Sequence, residues 1–172
     1  MICACQRYRE YSATLLFATI TFGEDTMVDD TAKPSGFSGH AHFSIDDLAA
    51  MQPGLARVMP EVGQRYWKLY YAAQAGNWPL AKFQWGEIEE LMEFGMITRP
   101  KYTEDLETFI NNDGKALKSA IESKDWEKFE VAYHQGVRNA NDYHKSNKKG
   151  MIVWKLPEQA PPDLDLTPQD DA

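Results

Sequence analysis

The sequence contains little cysteine and few basic residues. Only Cys3 and Cys5, both near the start, are cysteines among 172 residues, so no disulfide framework can hold the body of the chain. No further cysteine completes a zinc-type ligand set with this pair. Lysine and arginine number 18 against 26 acidic residues, which gives a net charge of −8. This balance disfavours nucleic acid and an anionic membrane surface as partners, because both attract cationic side chains.

Long apolar runs are also missing. The run from Ala13 to Phe22 is interrupted by threonines and is too short to cross a membrane as a helix. No clean cleavage site follows it, so it is a poor signal peptide. We therefore expect a cytoplasmic protein, with a periplasmic location as the alternative if residues 1–26 act as a signal peptide. Because Met27 opens a polar stretch that resembles an ordinary start, residues 1–26 are interpreted as an upstream extension or a flexible arm.

The motifs of common enzyme and metal sites are absent or incomplete. The sequence has no nucleophile elbow and no phosphate-binding loop. His40 and His42 form a His-x-His pair without a third ligand. Glu130 and His134 form one helical ligand pair, where a di-iron bundle needs two. We therefore predict no catalytic residue and no metal site.

The middle of the chain carries four segments with apolar residues at three- and four-residue spacing, the period of one helical face. They cover roughly residues 55–75, 77–94, 98–121 and 125–144. Sustained alternation is absent, so no sheet is expected. Four such helices joined by short loops pack antiparallel. The sequence thus predicts an all-α fold, an antiparallel up-down-up-down four-helix bundle with an extended C-terminal tail.

Glycine, asparagine and aspartate residues set the expected helix boundaries. Gly76 is predicted to take the left-handed cap conformation, and Asn77 and Asp125 are predicted N-caps. Gly95 is interpreted as the end of the second helix, and Asn111–Gly114 as a break in the third. We divide the chain into three parts: a flexible N-terminal arm (1–43), the bundle (44–148), which opens with a short helix, and a tail (149–172) that packs on the bundle before an acidic, proline-rich end.

Two segments carry a resemblance to a known family. The stretch Tyr66–Ala81, with its Gly-Asn-Trp junction, and the following Phe83–Glu90 resemble the first helical hairpin of small bacterial c-type cytochromes with a four-helix bundle, the cytochrome c'-like type. Residues 120–133 continue the likeness. In those relatives a Cys-Asn-x-Cys-His segment closes the fourth helix, and an apolar tail ending in prolines follows.

The haem-attachment motif of that family is degenerate in this chain. Ala140-Asn141-Asp142-Tyr143-His144 occupies its place, so Ala140 and Tyr143 stand where the two cysteines would bind a haem covalently. His144 is retained and, with Tyr143 beside it, is the candidate for binding a non-covalent haem, since histidine is a common axial ligand. In the alternative interpretation, His144 is a packing residue near a helix end, where the dipole favours a cation.

Aromatic residues surround the position that a haem would leave empty. We expect Tyr143, Trp154 and either Tyr66 or Tyr70 to close that space, because a dry cavity of this size is costly. In the alternative arrangement, Tyr66, Tyr70, Trp154 and an inward-pointing Glu87 line a pocket for a small apolar ligand.

Three functions follow from these features. The first is a non-catalytic helical-bundle protein, a haem-less relative of the four-helix cytochromes, with a structural, interaction or small-ligand-binding role and no cofactor. It would form a homodimer through an exposed bundle face. The second is a protein that binds haem or a metal non-covalently through His144 for redox or sensing. An enzyme ranks last, because no nucleophile and base pair is present.

Overall fold

The computed structural model describes residues 34–169, which form two compact units divided after Ile45. The architecture is mostly helical, with one small two-stranded sheet. The all-α prediction is confirmed in this coarse form. None of the described helices is both long enough and apolar enough to span a bilayer. Residues 1–26, with Cys3 and Cys5, lie outside the described residues.

The first unit contains a β-hairpin that the sequence did not predict. Strands β1 (Ser35–Phe37) and β2 (His42–Ser44) pair antiparallel. Gly39 occupies the turn with a positive φ of 93°, which glycine adopts without strain. The expectation of no sheet is corrected here. Three-residue strands are too short to show alternation in the sequence.

The second unit begins with two helices whose positions match the prediction. Helix α1 spans Ile45–Ala50, and helix α2 spans Leu55–Gln74. The buried face of α2 follows the three- and four-residue spacing of its apolar side chains. Its buried apolar residues are Val58, Val62, Tyr66, Leu69, Tyr70, Ala72 and Ala73.

The junction after α2 is built as the sequence predicts. Gly76 has a φ of 78° in the left-handed region, and helix α3 begins at Trp78. The Oδ1 atom of Asn77 accepts a hydrogen bond from the backbone N–H of Leu80 at 3.1 Å, which satisfies one free donor of the first turn.

Helix α3 spans Trp78–Thr98 and continues past Gly95, which corrects the predicted end. A Cβ atom on Gly95 would lie 2.8 Å from Cδ2 of Leu55, so the glycine permits close packing of α2 against α3. Its function is therefore steric, and the helix ends only before Arg99 and Pro100.

The third helical region is continuous where the sequence suggested a break. A short 3-10 turn (Pro100–Tyr102) leads into helix α4 (Thr103–Phe109). A π-helical turn (Ile110–Gly114) then connects α4 to helix α5 (Lys115–Ser123). The polar segment thus widens the helix by a π-turn, a form often found at functional sites.

Helix α6 spans Trp126–Ser146, and residues 147–169 contain neither helix nor strand. Asp125 caps α6 as predicted, since its Oδ1 accepts from the backbone N–H of Lys128 at 3.1 Å. The helices of this unit share one core in which aromatic rings contact one another. Its largest fully buried side chains are Trp85, Tyr133, Phe129, Leu69, Ile88 and Leu117.

The N-cap residues Asn77 and Asp125 differ in their hydrogen-bond partners outside their own helices. This difference gives a test of the fold. Besides capping α3, the buried Asn77 donates through Nδ2 to the carbonyl oxygen of Thr167 at 3.0 Å. We expect Asn77→Ala to lower the free energy of unfolding by about 2 kcal/mol and Asp125→Ala to lower it by less, because Asp125 caps only its own helix. Urea unfolding of both variants measures the difference. Equal losses would contradict a role of Asn77 in fastening the C-terminal segment.

Candidate functional site

A buried carboxyl group lies on the π-turn. Asp113 is 6% exposed, and its Oδ1 accepts a hydrogen bond from Nδ2 of Asn139 on α6 at 2.7 Å. Burial, and to a smaller extent the charge of Asp113, raises the pKa of the Tyr66 and Tyr143 phenols. We call Tyr66, Asp113, Asn139 and Tyr143 the Asp113 cluster.

Tyr66 joins this cluster to the aromatic core. Its hydroxyl donates to the backbone carbonyl oxygen of Tyr133 at 3.3 Å, and the two rings stack with centroids 4.4 Å apart. A Cβ atom on Gly136 would collide with the Tyr66 hydroxyl, so only glycine fits at that position of α6. The phenol is therefore fixed from two sides.

Burial shifts the acid–base behaviour of the cluster. It raises the pKa of the Asp113 carboxyl above its ordinary value, while the hydrogen bond from Asn139 acts in the opposite direction. Burial also raises the pKa of Tyr66 well above its ordinary value, assisted by the charges of Tyr133 and Asp113. The phenols are thus held neutral, and the carboxyl retains a proton more readily than an exposed aspartate.

The predicted haem residues lie at the end of α6. Tyr143 is half-buried and packs against the core, and burial raises the pKa of its phenol. The Nδ1 atom of His144 lies 2.9 Å from the carbonyl oxygen of Ile152. Because a carbonyl oxygen can only accept, the imidazole donates through Nδ1–H in this bond, and Nε2 is the ring nitrogen that the bond does not use.

Trp154 packs against α2. Its indole ring covers Gly63, where a Cβ atom would overlap the six-membered ring. The side chain of Asn141 holds the backbone on both sides, since Oδ1 accepts from the Trp154 N–H at 2.7 Å and Nδ2 donates to the Trp154 carbonyl at 2.9 Å. The indole is therefore fixed as part of the packing.

The remaining predicted pocket residues have separate partners. Tyr70 is buried, and its hydroxyl lies 3.2 Å from Oε1 of Glu130. Glu87 is partly exposed and forms a 3.2 Å ion pair with Arg65. The structure thus brings Tyr66 and Tyr70 into one aromatic core with Tyr133, whereas Glu87 faces a polar surface.

Two shallow clefts lie elsewhere on the second unit. One, of about 140 Å³, has Trp85 and Ile121 among its walls, and its rim carries Lys118. The other, of about 300 Å³, is polar and is lined by Glu61, Gln64, Arg65, Lys68, Gln84 and Asp163. Neither cleft is lined by Tyr66, Tyr70 or Trp154, the residues predicted for an apolar ligand.

The side chains at the positions that the resemblance implies for a haem show whether a haem could be attached there. Neither Ala140 nor Tyr143 has a thiol, and the Trp154 ring packs against Gly63. These residues do not fit a covalently attached haem. Among residues 34–169, moreover, no three His, Cys, Asp or Glu side chains are grouped as a metal site would require.

The sequence analysis missed Asp113 and Asn139. It treated residues 111–114 as a break, because Asn, Asp and Gly usually mark loops. The available signal was the apolar stripe that resumes at Leu117, since a helical pattern on both sides of a polar segment is compatible with a helix that continues through it.

Comparison with protein-family models, with curated proteins and with solved structures finds no match to this chain. The resemblance to four-helix cytochromes therefore stays a hypothesis that rests on the residues quoted above.

The raised pKa of Asp113 makes a pH-dependent prediction. The folded state holds this proton more tightly than the unfolded chain, so Asp113 lowers the free energy of unfolding as pH rises from the ordinary aspartate range through its folded pKa. Asp113→Asn removes this loss and keeps an acceptor for Asn139. The variant should therefore gain stability relative to the wild type as pH rises above the ordinary aspartate range, near about pH 4.

Denaturant unfolding at several pH values tests this prediction. Asp105→Asn is the matched control, because Asp105 also accepts from an asparagine, Asn147 at 2.6 Å, but is less buried. A stability difference for Asp113→Asn that does not change with pH would contradict the prediction.

Proposed function

We propose that this protein is a non-catalytic helical-bundle module, a haem-less counterpart of the four-helix cytochromes that it resembles. In this proposal the helices form an antiparallel up-down-up-down bundle with an extended C-terminal tail. Its own side chains fill the interior, and it acts through its surface as a structural or interaction protein.

Contacts of α2 support this topology. Leu55 of α2 meets Gly95 of α3, and Arg65 donates to Oε1 of Gln84 at 3.3 Å. Residue numbers rise on α2 as they fall on α3, which is the pattern of an antiparallel pair. Tyr66 with Tyr133 and Tyr70 with Glu130 show the same opposite progression between α2 and α6.

Two asparagine–aspartate pairs support the same arrangement for α6. Asn139 donates to Asp113 at 2.7 Å, and Asn147 donates to Asp105 at 2.6 Å. Moving eight residues forward along α6 moves the partner eight residues back along the third helical region. The polar pairs thus favour an antiparallel register that a slip of one residue would break.

The observation that carries the proposal is the placement of Trp154 on Gly63. Side chains at the positions implied for a haem make contacts within the protein: Trp154 covers α2, Tyr143 packs on the core, and Tyr66 stacks on Tyr133. This packing supports a role in which the interior provides stability and the exterior provides contact. A homodimer through an exposed bundle face belongs to the same proposal, with Phe83 as an exposed apolar side chain.

A double-mutant cycle tests the Trp154 contact. Trp154→Ala should lower the free energy of unfolding by roughly 2–3 kcal/mol, because a large half-buried ring is lost. Gly63→Ala should also be destabilising in the wild type, since its Cβ expels the ring. In the Trp154→Ala background the sign should reverse, because alanine is favoured over glycine in a helix by about 1 kcal/mol.

Urea unfolding of the four proteins gives the coupling energy. Gly136→Ala is the control, because its added Cβ collides with Tyr66 and its cost should not depend on residue 154. If Gly63→Ala were equally destabilising with and without the indole, Trp154 would not occupy this position in solution.

A second candidate function is supported by the geometry of His144. The bond from Nδ1 to the carbonyl oxygen of Ile152 resembles the way in which proteins orient a ligating histidine, with the other nitrogen free. Under this proposal His144 holds a non-covalent haem, which would supply redox or sensing chemistry.

Haemin titration separates the two candidates. The packed-module proposal expects no Soret band that depends on His144 when haemin is added to the purified full chain. A band that disappears on His144→Ala, and persists on His134→Ala as the matched control, would overturn it in favour of the haem-binding candidate.

A further inference from the structure

The segment after α6 exposes three consecutive apolar side chains. Met151 is 80%, Ile152 45% and Val153 70% exposed. They follow directly after Gly150 in the part of the chain without helix or strand. Exposed single apolar residues are common, but three in a row on one short loop form a patch that calls for an explanation.

The loop backbone is fixed on both sides of this patch. The N–H of Lys149 donates to the carbonyl oxygen of His144 at 2.6 Å, and the N–H of Ile152 donates to the carbonyl oxygen of Lys149 at 2.8 Å. On the other side Asn141 holds both backbone groups of Trp154. These bonds fix the backbone on which the three apolar side chains are exposed.

Lysines surround the patch in an otherwise acidic protein. Between residues 142 and 155 the sequence has four lysines, all exposed, and one acidic residue. That acid, Asp142, pairs with Lys145 at 2.8 Å. Within residues 34–169, Lys148, Lys149 and Lys155 form no ion pair. The Asp105 carboxylate also borders the loop, 2.6 Å from Nδ2 of Asn147, which leaves the lysines in excess. Screening limits the reach of more distant acidic residues to roughly 8–10 Å at physiological salt.

We infer that this basic apolar loop, residues 145–155, is a docking surface for an anionic lipid bilayer. Apolar tips would enter the interface while the lysine side chains extend to the headgroups, the division of roles seen in peripheral membrane segments. The net charge of −8 describes the chain as a whole, whereas four lysines lie within these eleven residues.

The composition of the loop favours lipid over an acidic protein. Lysine is depleted in the cores of protein interfaces, where arginine and aromatic residues are enriched. Three apolar side chains also fall short of the area that a stable protein interface buries, about 800 Å² per partner. A bilayer surface needs no such area, since each lysine near an anionic membrane contributes separately.

Vesicle co-sedimentation of the full chain tests this inference. Phosphatidylcholine vesicles containing phosphatidylserine should bind the wild type more strongly than phosphatidylcholine alone, and salt should weaken the binding. Lys149→Gln/Lys155→Gln should lower the partition coefficient roughly twenty-five-fold, at about fivefold per lysine. Met151→Ser/Val153→Ser should lower it by roughly tenfold.

Matched controls lie on other elements. Val131 is 69% exposed, nearly as much as Val153, and lies fourteen residues before Lys145 on α6, or about 20 Å along the helix. Val131→Ser and Lys82→Gln/Lys115→Gln should bind like the wild type. Circular dichroism confirms that each variant is folded.

Three results would overturn the inference. The first is failure of the wild type to bind anionic vesicles. The second is an equal loss of binding in the controls and the loop variants. The third is lysine-dependent binding to immobilised polyglutamate without binding to vesicles, which would identify an acidic polypeptide as the partner.

Discussion

The packing of the helical unit depends on four glycines inside helical segments, each of which receives a large side chain from another element. A glycine inside a helix costs about 1 kcal/mol relative to alanine, so helix propensity does not explain these positions. The absence of a Cβ does, because it lets a neighbouring side chain approach the backbone. Trp154 lies over Gly63, Leu55 over Gly95, Trp85 against Gly114 and Tyr66 against Gly136.

The close packing at these glycines also explains which features could be predicted from the sequence and which could not. The period of the apolar residues and the caps at Asn77 and Asp125 were predictable, because they depend on neighbours within a few positions along the chain. Gly95 and Gly114 were interpreted as interruptions, since their partners are distant in sequence. A glycine that ends a helix cannot be distinguished in the sequence from a glycine that makes room for a leucine side chain of another helix.

The candidate site shows the same limit. Tyr66 and Tyr143 were singled out as aromatic residues near a cofactor position, but the buried Asp113 was assigned to a break in the third helix. The π-turn that places Asp113 toward α6 leaves no simple mark in the sequence, because one extra residue per turn changes only the phase of the apolar stripe. Asn139 was missed as well, because asparagine is usually exposed and its partner lies on another helix.

The fastening of the C-terminal segment to α2 has a consequence for how the protein is made. The indole of Trp67 donates to the carbonyl oxygen of Gln159, 92 positions later, and Tyr71 reaches Pro157 in the same way. A ribosome synthesises the chain from its N-terminus, so α2 emerges long before the residues that cover it. The outer side of α2 therefore stays uncovered until residues 157–159 have been synthesised. A product that terminates early would keep that side exposed and would differ from the full-length protein in a way that chaperones and proteases can recognise.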